Sequence, residues 1–144
     1  MSDKLDVVGI GNAMVDAIIP SNQSEIEKHE INRDSMNLID ENLKNNLHES
    51  YSIREMAGGG SLGNSMFGIT SFGGNGSFIG KIKNDEVGIF LQKDMVREGL
   101  QFPLGFTSPD ISTGCCTIFV EEDGTRTMCT FLGAGTLIGP DDIN

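Results

Sequence analysis

The sequence predicts an α/β protein, because stretches with the pattern of β-strands alternate with stretches that have the pattern of amphipathic helices. Residues 5–10 form an apolar run with several β-branched members, which is typical of a buried strand. In residues 62–72 and 87–96 the apolar side chains recur at helical spacing instead. Alternation of this kind indicates a sheet with helices packed against it, and 144 residues fit one such domain.

The first half of the chain is predicted to hold three strands and one well-defined helix. The strand patterns cover residues 5–10, 15–19 and 52–56. Residues 21–50 are polar, with only a weak helical stretch near 40–48. The glycine-rich segment 57–61 is expected to open the helix that follows, and the glycines at 73–74 are expected to end it.

The second half is predicted to add a strand, a helix and a hairpin. Residues 77–79 have the pattern of a short strand. Asn84 is expected to cap the N-terminus of the next helix, and Gly99 is expected to end it. Two further strand patterns, at 113–120 and 126–132, are joined by an Asp-Gly pair that favours a hairpin turn.

Three strand-rich stretches do not alternate with helices. They are residues 12–20, 36–56 and 113–132. We expect them to form a small sheet of their own beside the α/β layer. Residues 140–143 carry a helix-start signal with no helix after it, which predicts that the chain is part of a longer protein.

Composition and charge exclude several classes of function. The formal net charge of −11 argues against a nucleic-acid partner, which requires a basic surface. The N-terminal apolar run is too short for a signal peptide or a membrane span, so we expect a cytoplasmic protein without a membrane partner. Cys115, Cys116 and Cys129 fit no zinc or redox spacing and are expected to be free and buried. His29 and His48 are isolated, so no metal site is predicted.

A candidate binding motif follows the first predicted strand. Residues 9–16 read GIGNAMVD, and a strand that ends in Gly-x-Gly raises the alternative of a dinucleotide-binding turn. Met14 at the third glycine position and the lack of a long helix disfavour that alternative. Asn12 and Asp16 remain at a strand end, where a carboxylate can accept hydrogen bonds from two sugar hydroxyls. Turn formation is the competing explanation for both residues.

A second candidate motif is the glycine-rich turn before the first strong helix. Residues 58–64 read GGGSLGN. Backbone N–H groups at a helix N-terminus bind anions and polar ligands, and Asn64 is placed one turn into the helix to join them. The segment is not a P-loop, because it lacks the Gly-Lys-Ser/Thr ending. A plain glycine turn is the competing explanation.

Arg126 is a third candidate, because it directly follows the predicted hairpin turn. A guanidinium group there is able to pair with an incoming phosphate through two parallel hydrogen bonds. The competing explanation is an exposed hairpin arginine without a ligand.

Together these segments resemble the PfkB family of carbohydrate kinases, the ribokinase and adenosine kinase group. The resemblance covers most of the chain and rests on the order and spacing of its matching segments. These are residues 11–16, 59–64, 72–74, 78–81, 85–88, 113–114 and 126–134. The resemblance implies a ribokinase-like α/β sandwich with a small β-sheet lid, of which this chain holds the N-terminal half only. The three strand-rich stretches then correspond to the lid.

The resemblance assigns a substrate-binding role to five residues. Those that match hydroxyl-binding positions are Asp16, Gly60 and Asn64. Asn12 and Gly59 match positions that shape the same pocket. The expected substrate is a ribose-containing small molecule.

The resemblance also assigns roles in the lid and near the phosphate. Met36, Leu38, Met128 and Thr130 match lid positions that cover the substrate. Arg126 matches a residue close to the transferred phosphate in adenosine-kinase-like members.

The activity implied by the resemblance is transfer of phosphate from ATP to a primary hydroxyl of ribose or adenosine, with Mg²⁺ required by the complete enzyme. In the family, the catalytic base belongs to a Gly-Ala-Gly-Asp motif in the C-terminal half, which also carries the ATP pocket and a magnesium motif. None of these occurs here, since residues 133–136 read GAGT. We therefore expect no catalytic residue, no bound ATP and no kinase activity in this chain alone.

A second class of function stays open. The chain fits a non-catalytic module that binds ribose or a nucleoside, or one that forms a homodimer through its lid strands. The sequence also leaves adenosine, ribose and other sugars open as ligands. The Asn-x-x-x-Asp spacing of residues 12–16 and the Arg-Thr-Met stretch of 126–128 look closer to adenosine kinase than to fructokinases.

Overall fold

The computed structural model describes residues 4–103, 108 and 110–143 of the chain. The strands in this part are β1 (Val7–Ile10), β2 (Met14–Pro20), β3 (Met36–Leu38), β4 (Glu55–Gly59), β5 (Gly76–Ile79), β6 (Gly114–Val120) and β7 (Arg126–Phe131). The α-helices are α1 (Gln23–Glu27), α2 (Glu41–Ser50), α3 (Ser61–Ser71) and α4 (Glu86–Arg97), and two short 3₁₀ helices, Gly133–Leu137 and Pro140–Asp142, follow β7. None of the helices in the described ranges is long and apolar enough to cross a membrane.

The strands form two separate sheets. β1 and β5 pair in parallel as a two-stranded sheet. The other five strands form a second sheet in the order β3-β7-β6-β2-β4. Residues 11–13 alone join β1 to β2, so the chain passes from one sheet to the other at the GIGN motif. The result is a mixed α/β fold, as the sequence predicts.

Helices α3 and α4 pack with the two-stranded sheet around the first hydrophobic core. Phe78 of β5 and Met66 of α3 are buried there together with Leu91 and Met95 of α4. These helical residues belong to the apolar stripes in the sequence. Burying a side chain of this size stabilises the fold by about 1.5–3 kcal/mol, so the stripes fix which helix faces lie against the sheet.

Helices α1 and α2 cover the outer face of the five-stranded sheet. Ile26 of α1 and Leu47 of α2 pack in a second core against Ile19, Phe119 and Cys129 of the strands. Successive side chains of a strand point to opposite faces of a sheet. The neighbours of these core residues therefore face the other way, and this inner face of the sheet is available for a ligand.

The glycine-rich segment differs from the prediction. Residues 57–59 belong to β4, which pairs antiparallel with β2, and α3 begins only at Ser61. The expected strand at 52–56 and the helix opening at 57–61 were therefore placed too early. Pairing with β2 outweighs the weak strand preference of glycine, which sequence alone does not reveal.

The capping residue of α4 also differs from the prediction. Asp85 caps the helix in place of Asn84, and its Oδ1 accepts the Gly88 N–H at 2.8 Å. The same carboxylate accepts the N–H and the hydroxyl of Thr113, just before β6. Two adjacent residues with high capping preference compete here, and this contact with a distant segment favours Asp85. Residues 21–50 also contain α1, which was not predicted, and β3, which lies at the start of the strand-rich stretch 36–56.

Strand β1 exists as predicted, but it is not a buried strand. Gly9 is its one buried residue, while Val7, Val8 and Ile10 are exposed. In the part of the chain that the structure describes, β1 pairs only with β5. The apolar side chains on the uncovered side of the strand therefore remain accessible to solvent.

The three cysteines are free and buried, as predicted. They lie in β6 and β7, within the five-stranded sheet. Burial raises the pKa of Cys115 to about 12 and that of Cys129 to about 11. Both thiols therefore stay protonated near neutral pH and act as small apolar side chains.

His48 lies where α2 packs against the five-stranded sheet. Its Nε2 atom lies 2.9 Å from Thr117 Oγ1 and 3.9 Å from Cys115 Sγ. Burial, assisted by the nearby charge of Lys44, lowers the pKa of His48. A histidine whose pKa is lower in the folded state binds protons more readily when the chain unfolds. The free energy of unfolding therefore decreases as the pH falls through the ordinary histidine pKa of about 6.5.

We expect His48→Gln to flatten this pH dependence. Denaturant unfolding between pH 5 and pH 8 measures it, and His29→Gln, which replaces the other histidine, is the matched control. The wild-type chain should lose stability toward pH 5 more steeply than His48→Gln does. If the free energy of unfolding of the wild type and of His48→Gln changed equally with pH, His48 would not be held in its neutral form.

Candidate functional site

A cleft of about 630 Å³ lies between the two layers, on the inner face of the five-stranded sheet. Its polar lining comes from Asn12, Asp16, Gly60, Ser61, Asn64, Cys116 and Thr130. Its apolar lining comes from Ile10, Met14, Met36, Leu38, Leu62, Ile118, Met128 and Leu132. The cleft thus collects residues from segments far apart in the sequence, including most of the predicted site residues.

A row of side chains in register crosses the floor of the cleft. Asp16 on β2 is the register partner of Cys116 on β6, which is in turn the partner of Thr130 on β7. Thr130 pairs with Leu38 on β3, so the row runs over four neighbouring strands. The Thr130 hydroxyl donates a hydrogen bond of 3.4 Å to Cys116 Sγ. Because register partners project from the same face, the row places a carboxylate at one end and an apolar side chain at the other.

The next row, two residues along the strands, is apolar. Met36 of β3 is in register with Met128 of β7, and Met128 is in register with Ile118 of β6. Met36 and Leu38 on the edge strand are 54% and 67% exposed. These side chains form a smooth apolar surface that is accessible to a ligand, and flexible methionines adapt to flat or irregular ligands.

Asp16 lies at the polar end of the cleft, directly over a glycine. A Cβ atom added to Gly59 would lie 2.2–2.4 Å from the carboxylate atoms of Asp16, so the carboxylate packs on the glycine backbone. Burial raises the pKa of Asp16, and a backbone hydrogen bond from Gly60 opposes this shift. Asp16 also lines the cleft, so its carboxylate can accept hydrogen bonds from a ligand there.

Gly60 turns the chain from β4 into α3. Its φ of +81° lies in the region that favours glycine, and a Cβ atom there would lie 3.1 Å from Met14 Cγ. Gly60 is the N-cap residue of α3 and has no side chain that could cap the helix, and Ser61 and Asn64 in the first turn both line the cleft. A helix N-terminus of this kind offers N–H donors to a polar ligand.

Asn12 closes the polar end from the other side. It is exposed in the short link between β1 and β2. A Cβ atom added to Gly135 would lie 3.2 Å from Asn12 Oδ1, so the amide packs against the first 3₁₀ helix. The GAGT stretch thus contributes to the shape of the cleft, and its Thr136 hydroxyl bonds to the Gly133 carbonyl.

Two predicted site residues stand outside the lining of the cleft. Gly59 lies beneath Asp16 and shapes the site from below. Arg126 is the exposed first residue of β7, and the two-residue period puts it on the same face as Met128 and Thr130. It lies one row further out, so a role toward a phosphate remains a prediction.

The sequence did not single out several residues that line the cleft. Cys116 and Ile118 were read only as strand residues, and their side of the sheet depends on pairing with β2 and β7. Ser61 directly follows the glycines at a helix start, so the helix N-terminus argument was sufficient to identify it. Met14 and Leu62 carry no such signal, because they match ordinary core positions.

The α/β layer and the five-stranded sheet around this cleft form a ribokinase-like fold. The chain belongs to the pfkB family of carbohydrate kinases, because the family model with that description matches residues 5–141. No relative among curated proteins matches the chain.

Solved structures share this fold over nearly the whole chain. An adenosine kinase from Sinorhizobium meliloti is 36% identical, with a TM-score of 0.89 over 98% of this chain and 43% of that chain. A probable sugar kinase from Rhizobium etli is 33% identical, with a TM-score of 0.87 over 97% of this chain and 42% of that chain. An adenosine kinase from Anopheles gambiae is 23% identical, with a TM-score of 0.83 over 95% and 42% of the two chains, and shows the fold alone.

The chain spans less than half the length of these solved structures. The shares covered are 43%, 42% and 42%. The cleft described above therefore matches one part of those longer chains.

Proposed function

We propose that this chain is the N-terminal, acceptor-binding part of an ATP-dependent kinase that phosphorylates a primary hydroxyl of a nucleoside or sugar, with adenosine as the first candidate. The observation that carries the proposal is the division of the cleft into a polar end and an apolar end. The 36% identity to an adenosine kinase supports the choice of adenosine, and the 33% identity to a probable sugar kinase keeps ribose as a comparison.

The two ends of the cleft match the two parts of a nucleoside. At the polar end, Asp16 accepts hydrogen bonds from ribose hydroxyls, while Asn12, Asn64 and the Gly60 backbone complete the polar contacts. At the apolar end, the rows of Met36, Leu38, Ile118 and Met128 offer a surface for a flat base. A free sugar would leave that apolar surface exposed to water, which favours the nucleoside.

The cleft suits a neutral acceptor better than ATP. None of the described residues that line it is a lysine or an arginine, and Asp16 is its carboxylate. A triphosphate carries several negative charges and needs cationic or metal partners, which this lining does not supply. We propose that ATP and Mg²⁺ are bound by the part of a complete kinase that matches the rest of the solved structures. The five-stranded sheet then acts as the lid over the acceptor.

A second candidate function has its own support in the edge strand β3. Met36 and Leu38 are exposed on the outermost strand of the five-stranded sheet, and such an edge can pair with a second copy of the chain. In this alternative the chain is a nucleoside-binding or dimerising module without catalysis. The proposed cellular setting is the same in both cases: a cytoplasmic protein without nucleic-acid or membrane partners.

The proposed function predicts binding without turnover for this 144-residue chain. Isothermal titration should show that adenosine binds more tightly than 2′-deoxyadenosine or ribose. 2′-Deoxyadenosine lacks one of the hydroxyls that Asp16 would bind, and ribose lacks the base that would contact the apolar end. Phosphoryl transfer from radiolabelled ATP to adenosine should stay at the level of a no-protein control. Transfer above that control contradicts the acceptor-part proposal, and ribose binding as tightly as adenosine contradicts the role of the apolar end.

A further inference from the structure

A buried carboxylate outside the cleft occupies the joint between the two layers. Asp94 on α4 is only 5% exposed. Its Oδ2 accepts the backbone N–H of Gly58 on β4 at 2.7 Å, and its Oδ1 pairs with the guanidinium of Arg97. A buried carboxylate is costly unless its oxygens are paired, and both oxygens of Asp94 have partners. The residue thus links a helix of the first core to a strand of the five-stranded sheet.

The contact satisfies a backbone group that the sheet leaves free. β4 is the last strand in the order β3-β7-β6-β2-β4, so alternate N–H groups along it point away from β2. The Gly58 N–H is one of these groups, since it bonds to Asp94. The packing is close, because a Cβ atom at Gly58 would lie 3.0 Å from Asp94 Oδ2 and 2.8 Å from Phe67 Cζ. Asp94 therefore fixes the orientation of the end of β4 and its distance from α4.

The end of β4 leads directly to the polar end of the cleft. Gly59 supports the Asp16 carboxylate from below, and Gly60 supplies its backbone hydrogen bond. Gly58 is the residue immediately before them. A shift of β4 at Gly58 is transmitted to Gly59 and Gly60 within one or two residues, because neither has a side chain that anchors it independently.

We propose that Asp94 is a positioning residue for the acceptor site, acting through Gly58 to hold Gly59 and Gly60 in place beneath and beside Asp16. The inference rests on the proposed function for its effect on adenosine, whereas its effect on Asp16 itself can be measured without a ligand. Asp94 does not line the cleft, so its influence on a ligand must pass through the backbone of β4.

The test uses the 144-residue chain with two substitutions of Asp94 and one control. Asp94→Ala removes the acceptor, while Asp94→Asn keeps an oxygen that can accept the Gly58 N–H. Glu98→Gln removes a carboxylate beside the same helix end; the hydrogen bond of Glu98 is to Arg97. Carbon-detected NMR titration of the Asp16 carboxyl, the amide signals of residues 58–60 and adenosine affinity are the three readouts.

The direction in which the pKa of Asp16 changes distinguishes a positioning role of Asp94 from the mere loss of the Asp94 charge. Weakening the Gly60 hydrogen bond in Asp94→Ala should raise the pKa of Asp16 further, because that bond favours the charged form. Loss of a negative charge alone would lower it instead. Adenosine affinity should fall about fivefold in Asp94→Ala and stay within about twofold of the wild type in Asp94→Asn. Glu98→Gln should change none of the readouts.

Each outcome decides the inference separately from the proposed function. If the pKa of Asp16 is unchanged or lower in Asp94→Ala, the positioning role is overturned, even if the melting temperature falls. If Asp94→Ala does not fold, Asp94→Asn carries the test: its weaker neutral acceptor should move the amide signals of residues 58–60, and unmoved signals overturn the inference. If the wild-type chain does not bind adenosine, the proposed function fails, and the titration still decides the role of Asp94.

Discussion

Asp16→Asn is expected to weaken adenosine binding by about tenfold to several hundredfold, since each charge-assisted hydrogen bond to a ribose hydroxyl contributes about 1.5–3 kcal/mol. The substitution keeps the shape of the side chain but removes its charge and one acceptor. Asp141→Asn makes the same chemical change at an exposed carboxylate away from the cleft and is the matched control. Isothermal titration of both variants with adenosine measures the effect.

The same substitution is expected to leave the fold intact. Burial raises the pKa of Asp16, so the folded state disfavours its ionised form. The contribution of Asp16 to the free energy of unfolding is therefore most favourable below the ordinary pKa of 3.8, and it is lost as the pH rises through the raised value. At neutral pH, Asn at position 16 removes this cost, and the melting temperature should stay level or rise. A lowered melting temperature with unchanged adenosine affinity would identify Asp16 as a residue with a structural role in β2.

The raised pKa also gives adenosine binding a pH dependence of known sign. Only the ionised carboxylate accepts hydrogen bonds from two hydroxyls, so affinity should fall as the pH is lowered through the raised pKa of Asp16. Asp16→Asn has no such group and should bind weakly with a flat pH profile. A wild-type profile as flat as that of the variant would show that the carboxylate does not contact the ligand.

The polar end of the cleft was predictable from the sequence because its residues follow local rules. Asn12 comes just after β1 and Asp16 lies near the start of β2, while Gly60 and Asn64 mark the start of a helix. Strand ends and helix starts meet at one edge of an α/β layer, so local patterns were enough to place these residues together. The same reasoning predicted the α/β class and the hairpin between β6 and β7.

The apolar end and its neighbours depend on long-range pairing, which the residues alone do not determine. Cys116 reaches the floor of the cleft because β6 lies between β2 and β7 in one particular register. A shift of one residue would bury Cys116 on the other face and bring Thr117 into the cleft. The family resemblance was needed to assign Met36 and Met128 to the lid over the substrate, and the local signal is weakest at Met36, because β3 is three residues long and lies in a polar stretch.

The remaining differences between the predicted and the observed element boundaries arise where adjacent residues have similar preferences for the same structural position. Asn84 and Asp85 both suit a helix cap, and the contact of Asp85 with Thr113 decides between them. The glycines at 57–61 suit a turn as well as a helix start, and pairing of residues 57–59 with β2 makes them a strand. In both cases the deciding partner is distant in sequence, so the local pattern fixed the element but not its boundary.

Gly59→Ala is expected to have an effect as large as that of Asp16→Asn, although it adds only a methyl group. The new Cβ atom would lie 2.2–2.4 Å from three atoms of the Asp16 carboxylate, a distance at which one of them must move. A displaced carboxylate would lose one or two charge-assisted hydrogen bonds to the ligand, worth about 1.5–3 kcal/mol each, so adenosine affinity should fall by about tenfold to several hundredfold. The backbone of Gly59 has no positive φ, so the clash rather than backbone strain is the cause.

Gly68→Ala is the matched control, because a Cβ atom there meets no atom within 4 Å. This residue lies inside α3, where replacing glycine by alanine should stabilise the helix by about 0.5–1 kcal/mol and leave adenosine affinity unchanged. A double-mutant cycle of Gly59→Ala with Asp16→Asn then tests the route of the effect. If Gly59→Ala acts by displacing the Asp16 carboxylate, it should cost far less affinity once residue 16 is already asparagine. Fully additive losses would instead mean that the alanine disturbs the cleft through Gly60 and the start of α3, independently of Asp16.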